Sequence, residues 1–305
     1  IEIILLPSTL ISKTKHMKSV IITGANRGIG LDTTLAFARS GYKVYATMRD
    51  PDGATLLYKK VKEESLSVIM MAMDVNSDES VHECIDHIQK ENGLVDVIVN
   101  NAGIEAHGAI EEMDLSVFKE VMETNYFGVI RCVKAVLPLM RESNKGCIIN
   151  IASVAGHISS SPLAPYSASK FALEAFSEAL AQEVKSFNIR VAIIEPGIIN
   201  TDMANNIKHG DANSLYPQAF RFGGMFSASL EHPTSPTLVA DTILDVAESG
   251  TWKLRHPVGP DAQPFLDWRA SMTDEQWVDW NAASDEEWYK AVQESFGLDA
   301  RAKVK

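Results

Sequence analysis

Short apolar runs alternate with longer segments at helical spacing along most of this 305-residue sequence. The runs at 19–23, 43–47, 68–73, 95–99, 146–151, 189–195 and 252–256 are predicted strands. Strands that alternate with helices of about 10 to 15 residues are typical of βαβ units and of a parallel sheet. The sequence therefore predicts an α/β fold: a Rossmann-type doubly wound parallel sheet of about seven strands with helices on both faces.

The first predicted strand ends in a glycine-rich turn that leads directly into a helix. The turn contains Gly24, Asn26, Arg27, Gly28, Ile29 and Gly30. Glycines at such a turn let the backbone approach a pyrophosphate, whose charge is held by the amide groups at the helix start. An ordinary tight turn is the alternative, but the position between strand and helix favours nucleotide binding.

The second predicted strand ends at the place where a nucleotide-binding fold meets the adenosine ribose. A carboxylate at that place would bind the 2′-hydroxyl of NAD, and a cation would bind the 2′-phosphate of NADP. Here no carboxylate precedes Asp50, whereas Arg49 and Arg27 are available. The two arginines favour NADP(H), with NAD(H) as the alternative if both are solvated surface cations.

A phenol and an ammonium group lie one turn apart on the helix that begins near Pro165. Residues four apart share a helical face, so Lys170 can lie beside Tyr166. A nearby cation lowers the pKa of a phenol from about 10, which makes proton transfer easier. Ser153 follows another predicted strand. Because ligands bind beyond the C-terminal ends of parallel strands, we expect these three side chains in one crevice.

Together these motifs resemble the short-chain dehydrogenase/reductase family. The matching positions are Thr23-Gly24-xxx-Gly28-Ile29-Gly30, Asn100-Asn101-Ala102-Gly103, Ser153, Tyr166-xxx-Lys170 and Pro196-Gly197-xxx-Thr201. The resemblance covers about residues 18 to 203, in the family's order and spacing. The segments at 48–49 and 255–260 look most like the steroid and retinol dehydrogenase branch.

The resemblance implies a role for each matched residue. Tyr166 would be the general acid/base, and Lys170 would lower the pKa of Tyr166 and hold the nicotinamide ribose. Ser153 would bond the substrate oxygen, and Asn125 would anchor a water-mediated proton relay. The remaining cofactor contacts would come from Asp74, Val75, Asn101, Ala102, Gly103, Pro196, Gly197, Ile198 and Thr201.

The implied reaction is hydride transfer between NADP(H) and an alcohol or carbonyl substrate. The resemblance to the steroid and retinol dehydrogenase branch implies that this substrate is hydrophobic. One alternative keeps the fold and reduces 3-oxoacyl or sugar ketones. Another is an NADP-binding sensor without turnover, which has no need of Ser153, Tyr166 and Lys170 together.

The sequence divides into three parts. Residues 1–16 are interpreted as a leader or an expression-derived segment whose removal should leave activity intact. Residues 17–260 form the catalytic domain, with a lid of weak periodicity at about 200–236. Its aromatic and methionine residues, Met203, Tyr216, Phe220, Phe222, Met225 and Phe226, could form an apolar pocket wall.

Residues 261–305 are a helical extension that contains Trp268, Trp277, Trp280 and Trp288. Thr273 with Gln276, and Ser284 with Glu287, each predict a capping box, which indicates two short helices. The helices could pack on the body of the domain or close over the substrate pocket, and the sequence favours the first interpretation.

Composition excludes several classes of partner. The net charge of −12 disfavours nucleic acids and anionic membrane surfaces, and no apolar stretch approaches the length of a membrane span. Cys84, Cys132 and Cys147 have no metal-ligand spacing, which predicts no metal site and a location in the reducing cytoplasm.

By resemblance, the helix of Asn125 and the helix at 172–187 would form a homodimer or homotetramer interface. Burial within the chain is the alternative.

Overall fold

The computed structural model describes residues 17–207 and 214–301. Its strands are β1 Ser19–Thr23, β2 Lys43–Met48, β3 Val68–Ala72, β4 Val97–Asn100, β5 Gly146–Ile151, β6 Ile189–Pro196 and β7 Arg255–Val258. All are parallel and form one sheet in the order β3-β2-β1-β4-β5-β6-β7. The predicted Rossmann-type fold is confirmed. The predicted leader at 1–16 lies outside the described residues.

Helices connect the strands and cover both faces of the sheet. They are α1 Gly28–Arg39, α2 Thr55–Glu63, α3 Asp78–Asn92, α4 Leu115–Met122, α5 Gly128–Glu142, α6 Ala164–Val184, α7 Asp202–Asn205, α8 Gln218–Ser229, α9 Pro236–Ser249, α10 Ala262–Ala270, α11 Asp274–Ala282 and α12 Asp285–Phe296. Helices α1 and α9 pack in one buried core with the sheet, and α3, α5 and α6 pack in the other. None of the helices in the described ranges is both long and apolar enough to cross a membrane.

The sheet edges differ from the sequence prediction. The continuous apolar run at 68–73 predicts a buried strand. However, β3 is partly exposed because it is an edge strand and pairs only with β2. The last strand is predicted at 252–256, whereas β7 begins at Arg255. Trp252 is exposed instead, so an apolar residue outside the core shifted the predicted boundary.

Apolar residues recur at helical spacing from Met113 to Met140, which predicts one long helix. The structure instead has a π-helical turn at Glu123–Phe127, between α4 and α5. Asn125 lies in this turn and is buried. Gly128 follows, and a Cβ atom there would lie 2.9 Å from the Cγ2 atom of Val75. The start of α5 can therefore approach the loop after β3 only because this position is glycine.

The predicted lid is partly helical. Between 200 and 236 lie α7 and α8, while 208–213 falls outside the described residues. Gly223 and Gly224 have low helix propensity, so the sequence does not predict α8. The helix is nevertheless packed against the protein, because its Phe222 is buried. The C-terminal extension has three helices, α10 to α12, rather than two. Both predicted capping boxes are confirmed.

Candidate active site

A cavity of about 570 Å³ opens beyond the C-terminal ends of the strands. Most predicted site residues line it: Gly24, Asn26, Arg27, Gly28, Ile29, Arg49, Asp74, Val75, Asn101, Ala102, Gly103, Ser153, Tyr166, Lys170, Pro196, Gly197, Ile198 and Thr201. Gly30 and Asn125 lie behind the cavity wall instead. The topology therefore brings residues from six strand ends to one site.

The glycine turn is closely packed against the loop after β4. Gly24 has a φ of +65°, and a Cβ atom there would lie 2.9 Å from the Cα atom of Ala102. A Cβ atom on Gly30 would lie 2.2 Å from the carbonyl oxygen of Gly24. The Asn101 Nδ2 atom donates to the Thr23 and Gly24 carbonyl oxygens, at 2.9 and 3.1 Å. These contacts hold the turn at the start of α1, and the shape fits the pyrophosphate of a dinucleotide.

Arg27 and Arg49 border the cavity. Both side chains are exposed, and within residues 17–207 and 214–301 neither forms a hydrogen bond or an ion pair. The neighbouring carboxylate of Asp50 accepts a hydrogen bond from the Gly53 amide at 3.1 Å. One guanidinium group is therefore available after β1 and another after β2, while the acid next to Arg49 is engaged in its own turn.

The proposed catalytic hydroxyls and ammonium lie on adjacent elements. The Ser153 Oγ atom accepts from the Ala155 amide at 3.2 Å and lies 3.4 Å from the Pro196 carbonyl oxygen, to which it donates. Lys170 is buried, and its Nζ atom donates to the Ile151 carbonyl oxygen at 2.8 Å. That Nζ atom is 5.5 Å from the centroid of the Tyr166 ring.

Burial dominates the protonation of this pair. It raises the pKa of Tyr166 to about 12, which the Ser153 hydroxyl partly offsets and the Glu105 carboxylate increases. Burial also lowers the pKa of Lys170 to about 8, against the effect of Glu174. Ser153 is the group that lowers the phenol pKa here, and burial has the larger, opposite effect. The role of Lys170 in lowering that pKa stays a prediction.

Asn125 supports the site from behind. Its Oδ1 atom accepts from the Ile104 amide at 2.8 Å, and its Nδ2 atom donates to the Ile104 carbonyl at 2.9 Å. The same Nδ2 atom donates to Ser169 Oγ at 3.0 Å, and Ser169 donates to the Tyr166 carbonyl at 2.7 Å. The π turn thus joins the loop after β4 to the helix that carries Tyr166.

Asp261 supports the segment after β6, and no sequence motif marks it. Its Oδ2 atom accepts from the Ile198 amide at 2.7 Å across 63 residues of sequence. A Cβ atom on Gly197 would lie 2.3 Å from Asp261 Oδ1. Thr201 caps α7 by accepting from the Ala204 amide at 3.3 Å, and its methyl group lies over Gly28.

Sequence reasoning also missed a cluster of charged side chains. No metal ligands are predicted from spacing, yet the structure brings ligand atoms of His157, Glu174 and Glu195 within 4.8 Å of one another. Arg255 already lies between the carboxylates, 3.0 Å from Glu174 and 3.8 Å from Glu195. The residues are far apart in sequence, so only the fold reveals them.

The C-terminal tryptophans line the cavity. The prediction that this extension packs mainly on the body is wrong, because Trp268, Trp277, Trp280 and Trp288 border the same cavity as Tyr166. The Trp277 and Trp280 rings stack with centroids 5.7 Å apart. The lid adds Met203, Phe222, Met225 and Phe226 to this wall, whereas Tyr216 and Phe220 do not border the cavity. One end of the cavity is therefore aromatic and apolar.

Comparisons with known proteins agree with this geometry. The family model of short chain dehydrogenases matches residues 18–212. Oxidoreductase BOA17 of Botryotinia fuckeliana (strain B05.10) is 35% identical over 271 residues, 86% of this chain and 97% of that protein. Retinol dehydrogenase 8 of Bos taurus is 38% identical over 204 residues, 66% of this chain and 65% of that protein.

The solved structure of a single-residue variant of actinorhodin polyketide ketoreductase with NADPH superposes with a TM-score of 0.70 at 28% identity. The match covers 81% of this chain and 97% of that one. The protein belongs to the short-chain dehydrogenase/reductase family of oxidoreductases.

Proposed function

We propose that the protein interconverts an apolar alcohol and its ketone or aldehyde with NADP(H), and that Tyr166 is the general acid/base. The observation that carries this proposal is that Ser153, Tyr166 and Lys170 share one cavity with the glycine turn. The bound nicotinamide cofactor supplies or accepts the hydride. All other steps fall to side chains of this chain.

Reduction of a carbonyl builds negative charge on its oxygen. The hydroxyls of Ser153 and Tyr166 donate to that oxygen, and Tyr166 transfers its proton. The raised pKa of Tyr166 keeps the phenol protonated at neutral pH, the form that acts as an acid. In oxidation, Tyr166 acts in its deprotonated form, and the phenolate oxygen accepts the proton of the alcohol.

Lys170 and the cofactor-facing loops position the reactants. The Lys170 ammonium donates to the Ile151 carbonyl, and in the proposed complex it would also bind the nicotinamide ribose. Backbone groups at 196–198 would bind the carboxamide, and Asp261 holds this segment through the Ile198 amide. Asn125 orients the start of α6 through Ser169; the proposed water relay would begin there.

The aromatic end of the cavity supports an apolar substrate. Its wall comes from α8 in the lid and from the extension at 261–305, so the proposed catalytic domain at 17–260 depends on that extension for its substrate pocket. One relative of this chain is named retinol dehydrogenase 8, and retinol is an apolar alcohol.

Two exposed guanidinium groups support NADP(H) over NAD(H). Arg27 and Arg49 border the cavity without ion partners in the described residues, and a 2′-phosphate would pair with both. The actinorhodin ketoreductase structure contains NADPH.

A second candidate is reduction of a 3-oxoacyl or polyketide ketone. It is favoured by the match to a polyketide ketoreductase, and it uses the same side chains. Because the wall is apolar, a sugar ketone fits less well. A sensor without turnover would leave the Ser153, Tyr166 and Lys170 arrangement without a purpose.

The test is a panel of ketones and secondary alcohols, with steroids, retinoids and 3-oxoacyl thioesters, followed by NADPH absorbance. Tyr166→Phe should lower kcat by about 10³-fold with unchanged NADPH affinity, since one hydroxyl is lost. Tyr58→Phe, at an exposed position, is the matched control. Near-normal turnover by Tyr166→Phe would contradict the mechanism. Tight NADPH binding with no turnover on any substrate would favour the sensor.

Two exposed phenylalanines support a homodimer or homotetramer. Phe127 is 44% exposed at the start of α5, and Phe171 is 41% exposed on α6. Apolar side chains on these two helices gain stability when a second copy covers them. Light scattering of Phe171→Glu should show a smaller particle than the parent protein, and an unchanged mass would refute this interface.

A further inference from the structure

Four charged side chains lie together directly behind the proposed catalytic residues. We call His157, Glu174, Glu195 and Arg255 the charge cluster. Glu174 is one turn beyond Lys170 on α6, and Glu195 immediately precedes Pro196. His157 ends the 3₁₀ turn that Ser153 begins, and Arg255 begins β7. The cluster therefore has one residue on α6, which carries Tyr166 and Lys170, and one at the end of the turn that begins at Ser153.

The carboxylates of the cluster are deeply buried. The side chains of Glu174 and Glu195 are 6% and 1% exposed. His157 Nε2 is 2.8 Å from Glu195 Oε1 and 3.6 Å from Glu174 Oε2, and Arg255 Nε donates to Glu174 Oε2 at 3.0 Å. Glu174 Oε1 has no hydrogen-bond partner in the described parts of the chain.

Two buried carboxylates are stable together only when cations compensate them. Arg255 provides one positive charge. Hydrogen bonds to Glu174 and Glu195 raise the pKa of His157 to about 9, so the imidazole carries a second positive charge at neutral pH. Within the cluster two acids therefore face two cations, and Arg255 also pairs with the more exposed Glu178 outside it. Lys170 is not part of the cluster.

Lys170 is buried and bonds only a carbonyl oxygen among the described residues. Burial without a nearby anion favours the neutral amine. Glu174 is the anion that opposes this effect. Lys170 and Glu174 are four residues apart on α6 and share one helical face. A Glu174 without its Arg255 and His157 partners would therefore be in reach of the Lys170 ammonium.

We propose that the charge cluster is a positioning device for Lys170: Glu174 keeps the lysine protonated from a distance, and Arg255 and His157 prevent a direct Glu174–Lys170 ion pair. The consequence of this positioning for catalysis rests on the proposed function. The effect of the charge cluster on the protonation of Lys170 is independent of that function.

The proposal predicts shifts of opposite sign. Two charged groups act directly on the pair, Glu174 on Lys170 and Glu105 on Tyr166. His157 and Arg255 act through their contacts with Glu174, and Glu195 contacts both of them. Glu105 is itself bonded to His107. Loss of a negative charge at 174 destabilises the ammonium of Lys170, so it loses its proton at lower pH. Loss of a positive charge at 255 or 157 has the reverse effect.

The test is a pH titration of the Lys170 side chain by NMR in cofactor-free protein with ¹³C-labelled lysine, with the signal assigned by Lys170→Met. Glu174→Gln should lower the titration midpoint by about one pH unit, and Arg255→Gln should raise it by a similar amount. The double variant should return towards the parent value. Glu178→Gln is the control, because Glu178 also bonds Arg255 but is 53% exposed. The titration midpoint of Lys170 should stay unchanged in this variant.

The alkaline limb of the kcat profile should move in the same directions. If Arg255→Gln fails to fold, His157→Gln must show the upward shift, and Glu174→Asp, which keeps the charge, must restore the parent midpoint. Midpoints that do not move, or that move in the same direction for both signs of charge, overturn the proposal. Midpoints that move as expected in a protein without turnover would uphold the cluster's role and refute the proposed function.

Discussion

The indole Nε1 atom of Trp277 donates a hydrogen bond to the carbonyl oxygen of Ser159, 3.0 Å away. Ser159 lies on the segment between Ser153 and Tyr166, which supply the two proposed catalytic hydroxyls. Helix α11 of the C-terminal extension is therefore fastened to the segment that sets the distance between them. The extension forms both the cavity wall and a support for the proposed chemistry.

Trp277→Phe should keep the aromatic wall and remove this bond. One hydrogen bond contributes about 1 kcal/mol net, so we expect kcat/KM to fall about 5-fold and the free energy of unfolding to fall by a similar energy. Steady-state kinetics and urea unfolding measure the two effects. Trp252→Phe, at an exposed position, is the control. Equal behaviour of both variants would show that the Ser159 bond does not position the site.

Arg49→Asp should shift the coenzyme preference from NADPH towards NADH. The change removes a cation and adds an acid that can bind the ribose hydroxyls, so NADPH affinity should fall at least about 10-fold. Calorimetric titration with each coenzyme measures this shift. Arg141→Asp makes the same change at an exposed position outside the cavity. An unaltered preference in Arg49→Asp would refute the assignment of the phosphate site.

Gly30→Ala should disturb the nucleotide turn. The new methyl group would lie 2.2 Å from the Gly24 carbonyl oxygen and 2.5 Å from Asn101 Nδ2, and such overpacking costs about 1 to 3 kcal/mol. We expect weaker coenzyme binding and lower stability. Gly41→Ala adds a methyl group in open space at a φ of +82°, so it should cost about 1 kcal/mol through strain alone and leave coenzyme affinity intact. Equal coenzyme affinity in both variants would argue against the close packing of this turn.

The charge cluster also makes stability depend on pH. The folded-state pKa of His157 is about 9, above the ordinary histidine value of 6.5. Its contribution is therefore complete below pH 6.5 and is lost as the pH rises through 9. Because the ring is partly exposed, we expect only about 1 kcal/mol after solvent screening. Urea unfolding of the parent and of His157→Gln should differ at about pH 6 and converge near pH 10; a constant difference would contradict this linkage.

The sequence predicted the parts of the molecule that local pattern determines. Central strands such as β5 are continuous apolar runs because both faces are covered, and the turn at Gly24 is recognisable because only glycine tolerates its backbone and contacts. Ser284 and Glu287 form their capping box within four consecutive residues. In each of these cases the structural cause lies in neighbouring residues.

Other features depend on tertiary contacts and could not be predicted. The exposure of β3 follows from its edge position, and α8 forms despite two glycines because its apolar face is buried. Asp261 reaches Ile198, and Arg255 reaches Glu174, only after the sheet is complete. The raised pKa of Tyr166 likewise results from burial by elements that are distant in sequence. The role of a side chain that depends on such tertiary contacts can be identified only from the folded structure.

The π turn at Glu123–Phe127 has a consequence for insertions and deletions. One residue turns an α-helix by about 100°, so the wider turn acts as a phase shift between α4 and α5. Deleting one residue here would restore regular pitch, and it would rotate either the Asn125 amide away from Ile104 or the apolar stripe of α5 away from the sheet. The number of residues across this turn is therefore fixed by the contacts on its two sides, those of Asn125 with Ile104 and those of α5 with the sheet.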